Sequence, residues 1–354
     1  MNLETVQEIA DAVLYEGYML YPYRASSVKN QQRWNFGVLY PRGYCELRME
    51  HESSVLKTEC LFRATTSTRI TVKLRFLQIV QRTIGRFKRP PNGDLVDSEQ
   101  ELEYVDHLEL DDRVYRPWQE VIERSCTYDS LDPASLSASQ TIDFSFPGGD
   151  SRELVRDAHG RAVGAIVRDW QTLTVPFQVQ AHACRDDVVK LGIVVANCSE
   201  FQGTAPEDAR TRDAALLGSL ISTHLILGVE NGEFFSQLDP PAAYHDLIAQ
   251  SENKGVWPVL AGDDATTILA SPIILYDFPK IAPESAGNLF DATEIDEILA
   301  LRILTLTDQE KTEIRQSDDR VRQLLDRTES IPDEQFMKLH GVLRGLTWVK
   351  EVPE

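Results

Sequence analysis

Hydrophobic residues at the amino terminus recur at the spacing of an amphipathic helix. They are Leu3, Val6, Ile9, Ala10, Val13 and Leu14. Residues three, four and seven positions apart share one face of a helix, so this pattern predicts a short helix over residues 3–16 that buries one side.

From about residue 36 the hydrophobic period changes to two. In RITVKLRFL the apolar Ile70, Val72, Leu74 and Phe76 alternate with polar side chains. Alternation of this kind is typical of an antiparallel strand with one face buried. The same pattern predicts strands near residues 35–40, 44–50, 55–63 and 69–82.

Further short strands are predicted up to about residue 200. TVPFQVQAHA and VVKLGIVVAN, joined by CRDD, have the pattern of a hairpin. QTIDFSFPGGD and GRAVGAIVRDW add two strands bounded by turn residues. The pattern favours an antiparallel sandwich, or a pair of small β modules, over residues 33–200. Acidic residues 90–112 are interpreted as an exposed loop or linker.

After about residue 205 the pattern favours helices. DAALLGSLISTHLILGV is apolar nearly all round, which indicates a buried helix. Capping boxes at Asp291 and Thr307 precede amphipathic segments. The predicted fold class is therefore α+β, with an N-terminal antiparallel β-sandwich-like region followed by a helix-rich C-terminal part. The predicted divisions are 1–32 for the first helix and an aromatic and basic segment, 33–204 for the β-rich domain, 205–290 for a mixed α/β segment, and 291–354 for C-terminal helices.

Composition indicates an ordinary soluble globular protein, since 42% of the 354 residues are hydrophobic and 26% are charged. No basic region precedes an apolar run at the amino terminus, and the most apolar window, residues 216–229, is too short to span a membrane. We expect a cytoplasmic protein without membrane insertion. The five cysteines lack a CxxC spacing, which argues against a disulfide framework or a zinc ribbon.

Charge is distributed unevenly along the chain. Residues 1–90 carry 14 Lys and Arg against 8 Asp and Glu, a net charge of +6, and the remainder carries 22 against 48, a net charge of −26. The basic part could form a binding face, or the two parts could complement one another in the folded protein. The acidic remainder would repel phosphates, so nucleic acid is not an expected partner.

One segment combines aromatic rings, basic side chains and small polar residues. We predict that it binds a partner through Tyr21, Tyr23, Arg24, Ser26, Ser27, Lys29, Asn30, Arg33 and Trp34. These residue types are enriched where proteins grip partners or anions. Alternatively, the rings cover an open end of the sandwich and the polar groups satisfy loop backbone.

Residues that could support chemistry are scattered. His182 and Cys184, two apart on a predicted strand, would share a face, but no second pair completes a metal site. His224 has the spacing of a core histidine, and His245 beside Asp246 fits a turn as well as a general base. Phosphate-binding glycine loops are absent from the sequence. We therefore predict no catalytic residue, metal ligand or cofactor.

Three blocks of sequence carry a resemblance to a known family. They are ADAVLYEGYMLYPYRASSVKNQQRWNFGVLYP, LISTHLILGVENGEFFSQLDPP and SPIILYDFPKIAPESAGNLFDATEIDEILALRILTLTDQEK. The chain resembles a family of uncharacterised bacterial proteins encoded beside nickel-iron hydrogenase structural and maturation genes. The resemblance implies an accessory or assembly role for the hydrogenase and carries over no catalytic residue.

Two hypotheses follow. In the first, the chain is a non-catalytic protein that binds a hydrogenase subunit or maturation factor through residues 21–34 and the Pro-rich loop 276–285. In the second, it is an enzyme or metal-handling protein that acts on a hydrogenase precursor or small ligand, with His182, Cys184, His224 or His245 at the site. We favour the first, because the sequence shows scattered groups where a catalytic site needs converging ones.

Overall fold

The computed structural model describes residues 3–15, 36–48, 52–88, 101–110, 113–201 and 209–280, together with 307–308, 311, 325–326 and 329–330. The described residues are 55% strand and 17% helix, so β-sheet dominates this part of the chain. Its α-helices are α1 (Leu3–Tyr15), α2 (Arg42–Arg48), α3 (Ala209–Leu217) and α4 (His245–Ala249).

The strands belong to one large antiparallel sheet and one small one. The large sheet contains β1 (Val55–Phe87), β2 (Leu102–Val105), β5 (Trp118–Leu131), β6 (Gln140–Phe146), β7 (Gly149–Arg156), β8 (Ala162–Trp170), β9 (Leu173–Arg185), β10 (Val188–Ala196), β11 (Ile221–Phe234), β12 (Trp257–Leu260) and β13 (Thr267–Ser271). The small sheet pairs β3 (Leu108–Leu110) with β4 (Arg113–Tyr115).

Strand β1 is the longest strand of the large sheet and pairs with five of the others. It runs for 33 residues, which would extend about 110 Å if straight. Its partners change along its length, from β10 and β11 to β5 and then to β8 and β2. Register shifts against β11, at Ala64/Arg69 and Arg75/Leu77, mark irregularities of the kind that bend a strand.

The main core lies on one face of the sheet. Leu74 and Phe76 of β1 pack there with Phe177 of β9, Ile193 of β10 and Leu227 of β11. Helix α1 covers part of the opposite face, where Ile9 and Val13 pack with Ile226, Val259 and Leu269. The sheet is consequently apolar on both faces where β11 crosses it.

This two-sided burial explains why the predicted helix-rich C-terminal part is wrong. Residues 221–229, interpreted as a buried helix, form most of β11, which pairs with β1 on one side and β13 on the other. A strand covered on both faces is apolar nearly throughout and resembles a buried helix in sequence. Within residues 209–280 the helices α3 and α4 are short, and three strands join the large sheet. The helices predicted from residue 291 onward lie almost wholly outside the described residues.

Two smaller predictions are also wrong, in addition to the strand predicted near residues 35–40, where the described residues 36–40 hold only an isolated bridge between Leu39 and Leu220. Residues 44–48, predicted as strand, belong to α2, whose Tyr44 ring packs against Tyr40 and Phe201. The predicted acidic loop contains β2 and β3, of which β2 pairs with the end of β1. In both places tertiary packing overrides the local pattern.

Other predictions are confirmed. Helix α1 occupies residues 3–15 of the predicted 3–16, and β9 and β10 form the predicted hairpin with the turn at Asp186 and Asp187. The predicted strands in QTIDFSFPGGD and GRAVGAIVRDW are β6 and β8. The large sheet includes strands on both sides of residue 204.

Several basic residues of β1, together with Lys88 directly after it, form ion pairs with acidic residues from later in the chain. The pairs are Lys57–Glu252, Arg63–Asp187, Arg63–Glu233, Arg69–Asp132, Arg75–Glu123, Arg82–Glu120 and Lys88–Glu101. These contacts support the interpretation that the basic and acidic parts complement one another. Among the helices that the structure describes, none has the length and apolar character needed to cross a membrane.

Candidate functional site

The predicted partner-binding segment lies outside the described residues. Tyr21, Tyr23, Arg24, Ser26, Ser27, Lys29, Asn30, Arg33 and Trp34 all fall between residues 16 and 35. The structure does describe its two flanks. Tyr15, at the end of α1, packs with Ile221 of β11, and the carbonyl of Phe36 accepts a hydrogen bond of 3.0 Å from Ser222 N. Both flanks are therefore held at the start of β11.

The candidate residues His182, Cys184 and His245 do not come together in one site in the described part of the chain. His182 and Cys184 are exposed on β9, and a register shift of the β9–β10 pair falls beside Cys184. His245 is exposed, and its Nε2 lies 2.8 Å from the carbonyl oxygen of Pro240. Within the described ranges, no three His, Cys, Asp or Glu side chains form a group that could hold a metal ion.

The cysteines are all free thiols in different environments. Cys60 is fully buried, Cys184 is exposed, and the other three are intermediate. Burial raises the pKa of Cys60 and of Cys126 to about 12. A thiol is a nucleophile only as the thiolate, so these two are inert at neutral pH.

His224 lies in the interior, at the junction of β1, β11 and α1. Its side chain is fully buried, and Nδ1 lies 2.8 Å from the carbonyl oxygen of Ser222. Burial lowers the pKa of His224 to about 3, and the neighbouring charges of Arg75 and Lys73 act in the same direction. The imidazole is therefore neutral at physiological pH and far from the pKa that suits a general base.

Beside His224 is a group of polar side chains beneath α1. Arg75 Nη2 donates a hydrogen bond of 2.6 Å to Asp11 Oδ1 and lies 3.8 Å from Glu123 Oε2. The hydroxyl of Tyr15 donates to the other oxygen of Glu123. Because α1, β1 and β5 each supply a member, these bonds fasten the helix to the sheet.

The most exposed apolar surface lies at the β12 end of the large sheet. Of the eight large hydrophobic residues that are exposed in the described chain, five lie on β12 or on the two loops beside it. They are Leu238, Trp257, Ile274, Tyr276 and Phe278, with relative exposures from 38% to 86%. We call these five residues the apolar edge.

A polar contact holds the apolar edge in place. Asp277 Oδ1 accepts a hydrogen bond of 2.8 Å from Leu260 N of β12, and Oδ2 accepts one of 2.5 Å from the hydroxyl of Ser236. Ser236 Oγ also accepts a 3.0 Å bond from Leu238 N. The Asp277 carboxylate thus joins β12 to both loops and fixes where the exposed side chains lie.

Alternate residues of the segment 273–278 face opposite ways. Ile273 and Leu275 pack against the core beneath α1, whereas Ile274 and Tyr276 are exposed. Phe278, further along, donates its backbone N–H to Leu260 O at 2.7 Å. The sequence indicated the loop from Tyr276 as part of a partner-binding surface, but it did not indicate Ile274, Trp257 or Leu238. IILYDF has apolar residues at both parities, a pattern that β11 shares with both faces buried, so the exposure of Ile274 left no signal in the sequence.

A scan against protein-family models finds no match for the chain, and a search of the curated proteins finds none either.

Proposed function

We propose that this chain is a non-catalytic cytoplasmic accessory protein that binds a nickel-iron hydrogenase subunit or maturation factor through the apolar edge and the segment 21–34. The apolar edge is the observation that carries the binding role. Large apolar side chains exposed at one edge of a fold are characteristic of protein contacts, and aromatic residues dominate the energy of such contacts. The identity of the partner rests on the sequence resemblance.

The chemistry of the apolar edge favours a protein partner with apolar side chains at its centre. Trp257 and Tyr276 offer flat rings, and Ile274 adds an aliphatic side chain between them in sequence. Exposed Asp239 adjoins Leu238, and the whole chain carries a net charge of −20. We therefore expect Lys or Arg at the rim of the partner surface, where opposite charges speed association.

Affinity purification from the native host tests this function. The tagged protein is isolated under hydrogenase-producing conditions, and co-purifying proteins are identified by mass spectrometry. Recovery of a hydrogenase subunit or maturation factor at near-stoichiometric yield is the expected result. A protein that purifies alone, or that carries a stoichiometric metal or cofactor, would contradict the proposal.

Ile274→Ser combined with Tyr276→Ser is expected to weaken partner binding at least about tenfold, equivalent to about 1.4 kcal/mol. The two side chains are exposed, so their loss should leave the fold intact. Titration calorimetry with the purified partner measures the affinity. Tyr104→Ser on β2 is the matched control, because Tyr104 is 63% exposed but lies outside the apolar edge. Equal affinity of the double variant and the control would exclude the apolar edge as the contact.

Arg24→Glu combined with Arg33→Glu is expected to reduce complex formation without unfolding the protein. Reversal of two charges removes guanidinium hydrogen bonds and opposes an acidic partner group. The measurement is the same titration, with circular dichroism to check the fold. Arg113→Glu combined with Arg116→Glu applies the same charge change at exposed positions near β4. If both pairs change the affinity equally, the effect is one of net charge alone.

A further inference from the structure

Three buried polar atoms at the β1–β11 junction have no hydrogen-bond partner among the described residues. They are Arg75 Nη1, Ser222 Oγ and His224 Nε2. Buried polar atoms in folded proteins are nearly always satisfied, because an unsatisfied one costs about 1–3 kcal/mol. Arg75 and His224 are partners in the β1–β11 register and Ser222 is two residues before His224, so the three atoms point to a common polar ligand.

The backbone places these groups side by side. Arg75 and His224 are directly opposite in the antiparallel β1–β11 register, where Cβ atoms lie about 4.5–5.5 Å apart. The neighbours of Arg75, Leu74 and Phe76, face the main core, so Arg75 points toward α1. The carbonyl of Ser222 contacts the His224 ring.

A bulge in β11 lies beside His224. Arg75 pairs with His224 and Leu77 pairs with Ile221, so two residues of β11 oppose the single residue Phe76 of β1. Ser222 is one of these two, and its φ is +52°, a left-handed conformation that is uncommon for serine. Bulges redirect side chains and often occur next to functional sites.

The three atoms have complementary hydrogen-bonding roles. His224 Nδ1 faces a carbonyl oxygen, so Nδ1 carries the proton and Nε2 is an acceptor. Arg75 Nη1 can only donate, and the Ser222 hydroxyl can do either. The ligand must therefore accept from Arg75 and donate to His224, which water does and a bare anion does not.

Local charge also favours a neutral ligand. The guanidinium of Arg75 already contacts the carboxylates of Asp11 and Glu123, at 2.6 Å and 3.8 Å. A further anion would lie close to two carboxylates, and a cation would lie against Arg75.

We infer that one buried water molecule bridges Arg75 Nη1, Ser222 Oγ and His224 Nε2. Buried waters typically make about three hydrogen bonds to otherwise unsatisfied groups, which matches this set. The water keeps His224 in its neutral Nδ1–H form and holds the guanidinium of Arg75 toward α1. This site is independent of the proposed partner binding.

A crystal structure of the wild-type protein, at a resolution that shows ordered water, tests the inference. One peak within about 2.7–3.2 Å of all three atoms is expected. A crystal soaked in bromide should show no anomalous peak there. The inference is overturned if no peak is present, if bromide binds, or if Ser222 Oγ bonds directly to His224 Nε2.

Nuclear magnetic resonance provides a second test in solution. A long-lived buried water should give a cross-relaxation signal with the ring protons of His224. The exposed His182 is the matched control and should give none, because surface water exchanges too fast. The absence of a signal at His224, or equal signals at both histidines, would count against the bridging water.

Discussion

Phe76→Ala is expected to lower the free energy of unfolding by about 3–5 kcal/mol. Phe76 is fully buried in the main core, and its ring packs edge-on against Phe146 of β6 at a centroid distance of 5.3 Å. The substitution removes a large apolar side chain at the centre of β1, where neighbouring strands on both sides restrict relaxation. Denaturant unfolding followed by circular dichroism measures the loss.

The matched control for this prediction is Tyr104→Ala, which removes an exposed ring from β2. A surface substitution of this kind should change stability by no more than about 0.5 kcal/mol. A loss below about 1 kcal/mol for Phe76→Ala would show that the core repacks freely around β1.

Arg75→Met is expected to destabilise the protein by about 2–3 kcal/mol at neutral pH. Methionine keeps the length of the side chain but removes the guanidinium cation that contacts Asp11 and Glu123. Removing one partner from a fully buried pair costs about 3–5 kcal/mol, and the value here is lower because both carboxylates reach water. Arg63→Met is the matched control, since Arg63 is 44% exposed whereas Arg75 is 5% exposed. The control should cost no more than about 1 kcal/mol.

The destabilisation by Arg75→Met should be smaller near pH 5 than near pH 7. Burial raises the pKa of Glu123, and Arg75 opposes that rise. Without Arg75 the pKa of Glu123 rises further above its value in the unfolded chain. The folded variant then binds a proton more tightly than the unfolded one, so its stability increases as the pH falls and is lost as the pH rises.

Unfolding of both proteins at several pH values measures this effect. Glu123→Gln in the Arg75→Met background should remove most of the pH dependence, because the amide cannot ionise. A difference between wild type and Arg75→Met that stays constant from about pH 5 to about pH 7 would exclude Glu123 as its source.

Local elements with a clear hydrophobic period were predictable from sequence. Helix α1 shows a one-sided stripe, and β9 shows alternation along most of its length, because each buries one face. β11 violates that condition. Its two faces lie in different cores, one around Leu227 and one around Ile226, so its sequence lacks either period.

The candidate sites were predictable only in part. The sequence indicated the loop at Tyr276, and the residues 21–34 stay a prediction because they lie outside the described residues. The apolar edge combines residues up to forty positions apart, and its assembly depends on the Asp277 contacts with Leu260 and Ser236. Long-range contacts of this kind leave no local pattern.

Even less of the polar group around His224 was predictable from the sequence. Arg75 is one of the polar residues that alternate with apolar ones in RITVKLRFL, a pattern that predicts one exposed face. Arg75 is nevertheless buried, and its guanidinium contacts Asp11 of α1. The spacing of His224 was read on a helix, whereas its actual burial comes from the strand β11. Its neighbours Asp11, Glu123 and Ser222 come from three separate elements.

The sequence by itself determined the local elements that bury one face and expose the other. It also determined the basic charge of β1, which the folded protein balances through ion pairs. The tertiary structure alone decided that β1 is one continuous strand, that β11 is a strand and not a helix, and that Arg75 is buried. The physical reason is that hydrophobic period reports only whether a side chain is buried, whereas strand pairing and helix coverage are set by contacts between residues far apart in the chain.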